Sequence, residues 1–493
     1  MNSTGKPSLG LAQRALSGHA AIGLLVGALL YIVSLSGTLV VVHDRWQRWE
    51  EPNIAETGPT LAPLAAQAAM AAAMAREQGK PRTTHLYVRM PTDDLPRAVV
   101  TTDNGAWYVD RAGRIVAREG HGWTEFVIAL HETLNLPLIL GLIVVGMLGV
   151  ALAALCITGV VAHPRIFRDA FRLRMRQDSR IARADWHNRI GVWTLPWALA
   201  VALTGAFIGL GSVGFTVLAS AYTGGDLEKV YAPIFGDEPP ADARPAPLPN
   251  IARALGTLAA RVPHASPTYV IVHEPGTAGQ HVQIIAEHPR RLIYGETYAF
   301  DAAGEWKGPV GLSDGPWGKQ FAASTYNLHF GNFAGLAVEI AYMVFGLGLC
   351  VVTSTGTSLW LQKRRRRGLG GDRLAAIWEV VIWGTPLMIV ALAWLRALAG
   401  PDAPFAPAFW IALAAGSALA AFKPAWARGA RLRDATLWAV IGTAACHWAI
   451  YRPTTPDIVA IDLVAIALAG AALAGTFTSL RARRRLTEIR RPR

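Results

Sequence analysis

Long apolar stretches alternate with polar ones along this chain of 493 residues. Several of the apolar stretches reach the length of about 20 residues that spans the hydrocarbon core of a bilayer. From them we predict eight transmembrane helices, at about 18–42, 131–161, 190–222, 330–361, 376–398, 407–422, 435–451 and 458–480. The pattern therefore predicts a mainly α-helical membrane protein that crosses the bilayer many times.

Two long polar segments, residues 44–125 and 223–328, separate these spans and carry patterns typical of strands. The first predicts an alanine-rich helix near 61–78 and then strands near 84–88, 97–101 and 106–109. The second repeats this order, with a helix near 248–261 and strands near 268–272, 281–285 and 297–300. Each segment is thus expected to form a small α+β domain of one helix and a three-stranded meander. Because domains of this size are marginally stable alone, we expect the two to pack together.

The spans that flank these domains repeat as well. Ser36-Gly37 follows His19 in the first copy, and Thr204-Gly205 follows His187 at the same distance in the second. The next span of each copy also begins with a Leu-His pair, and its spacing to a later Thr-Gly pair differs by one residue between copies. A duplicated unit of helix, outer domain and helix is predicted, with the copies related by a pseudo-twofold axis along the membrane normal.

Lysine and arginine predict the orientation of the chain. They are concentrated in segments that an eight-span topology places on one face, at 165–189, 363–367, 423–433 and 481–493. The positive-inside rule makes this face cytoplasmic, and both termini with it. The formal net charge of +13 is then mainly an orientation signal, so nucleic-acid binding, the usual alternative for a basic chain, is disfavoured.

The predicted organisation combines these elements. In chain order its parts are the first span with a cytoplasmic N-terminus (1–43), the first outer domain (44–125), two spans joined by a basic loop (126–222), the second outer domain (223–328), the fourth span with a basic loop (329–373), and a four-helix extension with a cytoplasmic tail (374–493). The first span lacks a cleavage-site pattern and is too long for a signal-peptide core, so we expect it to be retained. The three cysteines all lie within spans, and no Cys-x-x-Cys-His occurs, which excludes a disulfide framework and covalently attached haem.

Four histidines at matching positions near the span ends are the candidate functional residues. Ionisable side chains in apolar spans are costly and mark functional sites. The topology places His19 and His187 near the cytoplasmic face and His131 and His329 near the outer face, on opposite sides of the axis. Two imidazoles across a four-helix core suit the axial positions of a haem iron, whereas structural zinc prefers about four ligands close together. We therefore predict haem ligation by these pairs, with two haems expected if each pair binds one.

Several motifs surround these histidines. They are Trp186-His187-Asn188-Arg189-Ile190-Gly191-Val192-Trp193, Ala202-Leu203-Thr204-Gly205, Leu328-His329-Phe330-Gly331, Leu359-Trp360-Leu361-Gln362-Lys363-Arg364 and Val42-His43-Asp44-Arg45. Their combination, over about residues 10–367, resembles the PepSY-associated transmembrane family. The resemblance implies periplasmic PepSY domains, haem b between the histidine-bearing helices, and reduction of ferric siderophores at a bacterial inner membrane. It matches His19, His187, His131 and His329 to the family's histidine positions, while the C-terminal spans depart from the family's minimal pattern.

A ferric siderophore would then dock outside, over the His131/His329 pair. The side chains that flank those helix ends are His43, Arg45, Trp123, Trp317, Lys319 and Tyr326. They are candidates for contacts to the chelate, and the alternative is that they are ordinary interface residues. His43 is in addition a candidate ligand or proton relay. One electron suffices for release, because iron(II) binds the hard oxygen donors of a siderophore more weakly than iron(III) does.

The electron donor and the function class leave alternatives open. No Gly-x-Gly-x-x-Gly follows a strand, so a quinol or a separate cytosolic reductase is expected to supply the electron. A transporter that moves the siderophore or its iron without redox chemistry is the second hypothesis, and its polar groups would be Glu379, Asp434, His447, Asp457 and Asp462. A periplasmic sensor or peptidase-regulating module is the third. The chain has no His-Glu-x-x-His or Gly-x-Ser-x-Gly, which disfavours proteolysis by the chain itself.

Overall fold

The computed structural model describes residues 10–163, 165–169, 179–227, 229–230, 242–289, 292–293, 295–310 and 317–489. Parts of the predicted basic segments 165–189 and 481–493 lie outside these residues. The chain divides into two compact units. We call Met1–His43, Gly122–Gly209 and Leu336–Arg493 the helical unit, and Asp44–His121 with Leu210–Gly335 the sheet unit.

The described secondary structure is mainly helical. The helices are α1 (Leu11–Val40), α2 (His43–Glu50), α3 (Pro63–Ala75), α4 (Gly122–Glu132), α5 (Leu138–Ala162), α6 (Ile166–Asp169), α7 (Ser179–Tyr222), α8 (Ile251–Arg261), α9 (Trp317–Phe330), α10 (Leu336–Arg366), α11 (Asp372–Glu379), α12 (Thr385–Ala399), α13 (Phe405–Phe422), α14 (Gly429–Tyr451) and α15 (Pro456–Ile489), with a π-helical turn at Val380–Gly384 between α11 and α12. The strands are β1 (His85–Arg89), β2 (Ala98–Thr102), β3 (Gly105–Val109), β4 (Ile115–Arg118), β5 (Ser266–His273), β6 (His281–Glu287), β7 (Glu296–Phe300) and β8 (Trp306–Pro309).

The four duplicated helices α1, α5, α7 and α10 share one apolar core in the helical unit. Its buried members are Leu30, Leu152, Ala153, Ala202 and Leu349. Small residues let the backbones approach, as they commonly do between membrane helices. A side chain at Gly209 of α7 would place its Cβ 2.7 Å from the Leu142 carbonyl oxygen of α5. Close packing of the duplicated helices therefore depends on glycine at this crossing.

Among the described residues, seven helical segments are long and apolar enough to cross a membrane: α1, α5, Ala182–Tyr222, α10, Asp372–Ala399, α13 and Pro456–Thr476. The predicted span at 435–451 lies in α14, which is not among them, so the count of eight is not confirmed. Arg431, Arg433 and Asp434 lie in the first turns of α14, and His447 lies near its end. These polar residues lower the mean hydropathy of the helix.

Two predicted spans begin later than expected, and the histidines lie outside them. The predicted span 131–161 starts at Leu138, because α4 ends at Glu132 and Leu134 and Asn135 adopt positive φ angles of 55° and 56°. In the second copy, α9 ends at Phe330 and α10 begins at Leu336. The predicted spans 131–161 and 330–361 thus began seven and six residues early, because they included the end of a short helix and the connection after it.

The two long polar segments form one sheet, and not the two separate three-stranded meanders that were predicted. Its eight antiparallel strands follow the order β4-β3-β2-β1-β5-β6-β7-β8. Each segment supplies four strands, and β1 pairs with β5 in a register centred on Tyr87 opposite Ile271. The prediction missed β4 and β8 because each is a four-residue edge strand. One sheet face, including Val88, Val270 and Ile284, is buried in a common apolar core with α3 and α8.

Candidate functional site

His19 of α1 and His187 of α7 lie next to each other in the helical unit. Their ring centroids are 6.2 Å apart, and the ring planes are nearly perpendicular at 80°. The duplication therefore brings together two imidazoles that are 168 positions apart in the sequence, 187 minus 19.

Each imidazole of this pair is held by a helix of the same repeat. His19 Nδ1 lies 3.1 Å from the Leu155 carbonyl oxygen of α5 and 3.3 Å from the Thr158 hydroxyl. His187 Nδ1 lies 2.9 Å from the Val352 carbonyl oxygen of α10 and 3.3 Å from the Thr355 hydroxyl. The two arrangements correspond, because the threonine follows the carbonyl residue by three positions in both.

These contacts assign the tautomer of both rings. A carbonyl oxygen only accepts hydrogen bonds, so Nδ1 of His19 and of His187 must carry the proton. In a neutral imidazole the remaining nitrogen, Nε2, then presents a lone pair. This is the arrangement in which histidine binds metals, with the other ring nitrogen donating to a partner that fixes the ring orientation.

Glycines give both rings room beside the neighbouring helix. A Cβ at Gly159 would lie 3.4 Å from His19 Cε1, and a Cβ at Gly356 would lie 3.0 Å from His187 Cε1. Gly159 directly follows Thr158, and Gly356 directly follows Thr355. The duplicated Thr-Gly pairs noted in the sequence thus mark the backbone on which each imidazole lies.

His131 repeats this geometry further along α1. Its Nδ1 lies 2.9 Å from the Val33 carbonyl oxygen, and a Cβ at Gly37 would lie only 2.6 Å from its Cε1. Val33 follows His19 by 14 residues, 33 minus 19. At the helical rise, the two histidine levels are separated by about 21 Å along α1. His131 therefore also has Nδ1 protonated.

His329, the predicted partner of His131, belongs to the sheet unit. It lies half-buried near the end of α9, with its ring 5.8 Å from that of Phe330. Because His131 belongs to the helical unit, the joint binding of a haem by these two residues stays a prediction.

The six candidate substrate contacts have different surroundings. In the helical unit, His43 Nδ1 lies 3.2 Å from the Val40 carbonyl oxygen. Trp123 is 5% exposed, and its indole donates a hydrogen bond to the Ile389 carbonyl of α12 at 2.9 Å. Trp123 therefore anchors α4 within the bundle and offers no exposed surface to a chelate.

The other candidates lie in the sheet unit. Arg45 forms an ion pair with Asp94 at 2.9 Å. On α9, Trp317 and Tyr326 are 77% and 43% exposed, and Lys319 is half-buried. Of the six, the two aromatic residues of α9 offer the largest accessible surface.

The four-helix extension contains a buried histidine–aspartate pair, formed by two of the residues that the transporter hypothesis named. His447 Nδ1 of α14 lies 2.7 Å from Asp462 Oδ2 of α15, and the two side chains are 5% and 3% exposed. In the described part of the chain no group of three or more His, Cys, Asp or Glu residues could hold a metal ion. Cys156, Cys350 and Cys446 are free thiols, as predicted.

The fold and these histidines define a multi-pass membrane protein with a duplicated, imidazole-bearing helical core and an eight-stranded β-sheet. Residues 16–363 match the family described as the PepSY-associated TM region, and the chain belongs to this family. A relative, the uncharacterized protein PA4219 of Pseudomonas aeruginosa, is 30% identical over 262 residues. That match spans 49% of this chain and 64% of the relative.

Proposed function

We propose that this chain is a haem b protein of a bacterial inner membrane that passes electrons outward to reduce a ferric siderophore in the periplasm. The observation that carries the proposal is the His19/His187 pair, with each Nδ1 directed to a carbonyl and each ring beside a glycine. The family membership and the membrane-length helices support the location.

The spacing of the two rings fits one iron atom between them. Bonds from imidazole nitrogen to a metal are about 2 Å long. With roughly 1 Å more from each ring centre to its nitrogen, two axial imidazoles on one metal lie about 6 Å apart. The 6.2 Å between the centroids of His19 and His187 agrees with this value. The absence of larger ligand clusters among the described residues also favours axial ligation over a zinc site.

The chain's own residues hold and orient this site. The carbonyl groups of Leu155 and Val352 keep the Nε2 lone pairs of His19 and His187 available. Leu30, Leu152 and Leu349 belong to the buried apolar core that the same four helices share. A haem held by His19 and His187 would supply one-electron oxidation and reduction.

The overall reaction balances with a quinol as the electron donor. One quinol gives two electrons and two protons and becomes a quinone, and two iron(III) chelates each take one electron. A cytosolic reductase that delivers one electron at a time would likewise reduce one iron(III) for each electron.

We propose a second haem at His131 and His329, cytoplasmic termini, and a substrate site on the outer side near Trp317 and Tyr326.

The direct test is the absorption spectrum of the purified full-length protein. We expect a Soret band and, after dithionite, the α-band of a low-spin b haem. His19→Ala and His187→Ala should each remove about half of the haem, because the loss of an axial ligand affects one of two sites. His163→Ala is the matched control, since His163 is exposed at the end of α5. A colourless parent protein, or full haem content in His187→Ala, would contradict the proposal.

Transport without redox chemistry is the second candidate function, and the buried His447–Asp462 pair is the observation that favours it. Ionisable pairs inside membrane bundles commonly form part of ion and proton pathways. Vesicles containing the protein distinguish the two functions. Uptake of labelled siderophore by a protein that contains no haem would favour transport.

A further inference from the structure

A cavity of about 510 Å³ opens where α10, α11 and α13 end or begin on the basic face of the helical unit. It is lined by Arg364, Gly371, Asp372, Arg373, Leu374, Phe422 and Pro424. None of these residues belongs to the histidine sites described above.

Arg364 is the central cation of this cavity. Its guanidinium lies over the Trp360 ring at 5.6 Å, and its stem packs against Gly371, where a Cβ would lie 3.6 Å from Arg364 Cδ. The Nε atom is buried and has no hydrogen-bond partner among the described residues. A buried donor without an acceptor is unfavourable, and Arg364 also contributes its positive charge to the cavity that it lines.

The rest of the lining adds positive potential. Arg373 is exposed beside Arg364, and no ion pair to it is found in the described part of the chain. Gly371 is the N-cap of α11, and no side chain there accepts a hydrogen bond from the helix. The first backbone amides of α11 are therefore available to an anion. The one acidic residue, Asp372, is already paired with Arg365 at 3.0 Å.

An apolar edge adjoins these cations. Phe422 is 84% exposed and Leu374 is 46% exposed. Phe422 ends α13, a membrane-length helix, so its exposed ring lies where acyl chains meet headgroups. A free anion would gain nothing from this edge, whereas a lipid would bury it.

We propose that this cavity binds the phosphate of an anionic phospholipid, with Arg364 and Arg373 contacting the headgroup and Phe422 and Leu374 contacting the acyl chains. Basic pockets between helices on the cytoplasmic side are suited to such headgroups, and the positive-inside rule predicts that orientation for this face. The site joins α10 of the duplicated core to α11 and α13 of the extension. The bound lipid therefore bridges the two parts of the helical unit.

The test uses the delipidated full-length protein in detergent, titrated with dioctanoyl phosphatidylglycerol and followed by native mass spectrometry. We expect saturable binding of this lipid and much weaker binding of dioctanoyl phosphatidylcholine. Arg364→Gln combined with Arg373→Gln should lower the affinity by about tenfold or more, because two charge-assisted contacts are lost. Arg367→Gln is the matched control. It removes one positive charge from the basic run that contains Arg364 but does not line the cavity.

Three outcomes would overturn the inference. Equal loss of affinity in the Arg367 control would indicate diffuse attraction to the whole basic run. Competition by inorganic phosphate at the same concentration as the lipid would indicate a free-anion site. Equal binding of phosphatidylcholine would show that headgroup charge is not recognised. If the double variant elutes as aggregate, Arg373→Gln alone, on an exposed side chain, serves in its place with an expected loss of about threefold.

Discussion

At Gly37 the lack of a side chain determines where the His131 imidazole can lie. The ring covers the backbone of α1 at this residue, and the Val33 carbonyl oxygen, one turn earlier, accepts a hydrogen bond from its Nδ1. The same arrangement holds His19 beside Gly159 and His187 beside Gly356. Glycine and carbonyl together therefore orient each imidazole, and the pattern recurs because the helix pairs are duplicated.

A substitution at Gly37 should displace His131. Because an added Cβ would lie 2.6 Å from the ring, we expect Gly37→Ala to reduce haem content by about half, through the loss of one of two oriented ligand sets. Gly159→Ala is the control, since its Cβ would meet His19 at 3.4 Å. The haem-to-protein ratio measured as the pyridine complex checks this. The same ratio in both variants would show that the close approach at Gly37 does not position the ligand.

At the scale of elements, the extension packs directly against the histidine-bearing helices. The Tyr31 hydroxyl of α1 donates to the Ile382 carbonyl in the π-helical turn at 2.7 Å, and Thr436 of α14 donates to the Trp383 carbonyl at 3.0 Å. Trp123 on α4 and Trp410 on α13 make reciprocal indole contacts to Ile389 and Leu134. The Ile382 and Trp383 carbonyls lie in the π-helical turn, where irregular backbone releases carbonyl groups. Through these bonds the extension forms one packed bundle with the core.

The His447–Asp462 pair is expected to stabilise the contact between α14 and α15. Replacing one partner removes the hydrogen-bonded ion pair of the other at a buried position, which costs roughly 3–5 kcal/mol. His447→Leu and Asp462→Leu should therefore each destabilise the protein, while the double variant should recover most of the loss. Thermal unfolding in detergent, followed by tryptophan fluorescence, measures all four combinations. Additive losses in the double variant would show that the two side chains are not coupled.

The pairing of β1 with β5 joins the two halves of the sheet, so we expect a substitution there to destabilise the sheet most. Tyr87→Pro removes a backbone donor from a central strand, so we expect loss of the sheet and about 3 kcal/mol or more of destabilisation. Val116→Pro is the control, because Val116 lies at the irregular register of edge strand β4 and is 54% exposed. Limited proteolysis should cut the Tyr87 variant first. Equal proteolysis of the two variants would argue against a joint role for this strand pair.

At the scale of the whole molecule, each unit shows the duplication in its own way. The helical unit repeats the contacts of His19 and His187 on separate helices. The sheet unit repeats strands and joins them across a local twofold centred at Tyr87 and Ile271. Its two helices also meet, since Gln67 of α3 bonds to Pro249 and to the Ile251 amide at the start of α8. Within each unit, elements of one copy therefore pack against elements of the other copy.

The sheet unit should lose stability in acid because of Glu51. Burial opposes ionisation, but hydrogen bonds with His121, Tyr108 and the Gly120 amide outweigh it and lower the pKa of Glu51. A carboxyl whose folded pKa is depressed stabilises the fold above its ordinary pKa of about 4.3, and this contribution is lost as the pH falls through the folded value. Glu51→Gln should therefore be less stable than the parent at pH 7, with the difference shrinking as the pH falls below the ordinary pKa of about 4.3 and vanishing below the folded pKa. Thermal unfolding across this range checks it, and a constant difference would contradict it.

Much of the fold was predictable because its signals are local. Apolar length predicted most of the membrane helices, alternation predicted six of the eight strands, and the repeat spacing paired His19 with His187. The start of the second span and the edge strands were not predictable. Leu134 and Asn135 interrupt the helix through their positive φ angles, which the hydropathy pattern does not show. A four-residue strand has too few positions for an alternation of apolar and polar residues to be recognised.

The hydrogen-bond partners of the imidazoles were not predictable from the sequence either. Asn188, Glu132 and Asn327 adjoin the histidines in sequence, but the Nδ1 atoms of His19, His131 and His187 point to carbonyls of other helices. Asn327 donates instead to the Ile293 carbonyl. Every residue has a carbonyl, so no residue type signals this contact in a sequence.

The sequence by itself determined that the chain enters a membrane, which helices repeat, and which residue types could bind a metal, because hydropathy and spacing are properties of the chain. Only the tertiary structure decided that the two outer segments share one sheet and that His19 and His187 lie within 6.2 Å. It also decided which nitrogen of each ring carries the proton. Pairing, distance and tautomer depend on which backbones meet, and that is set by packing between segments far apart in the chain.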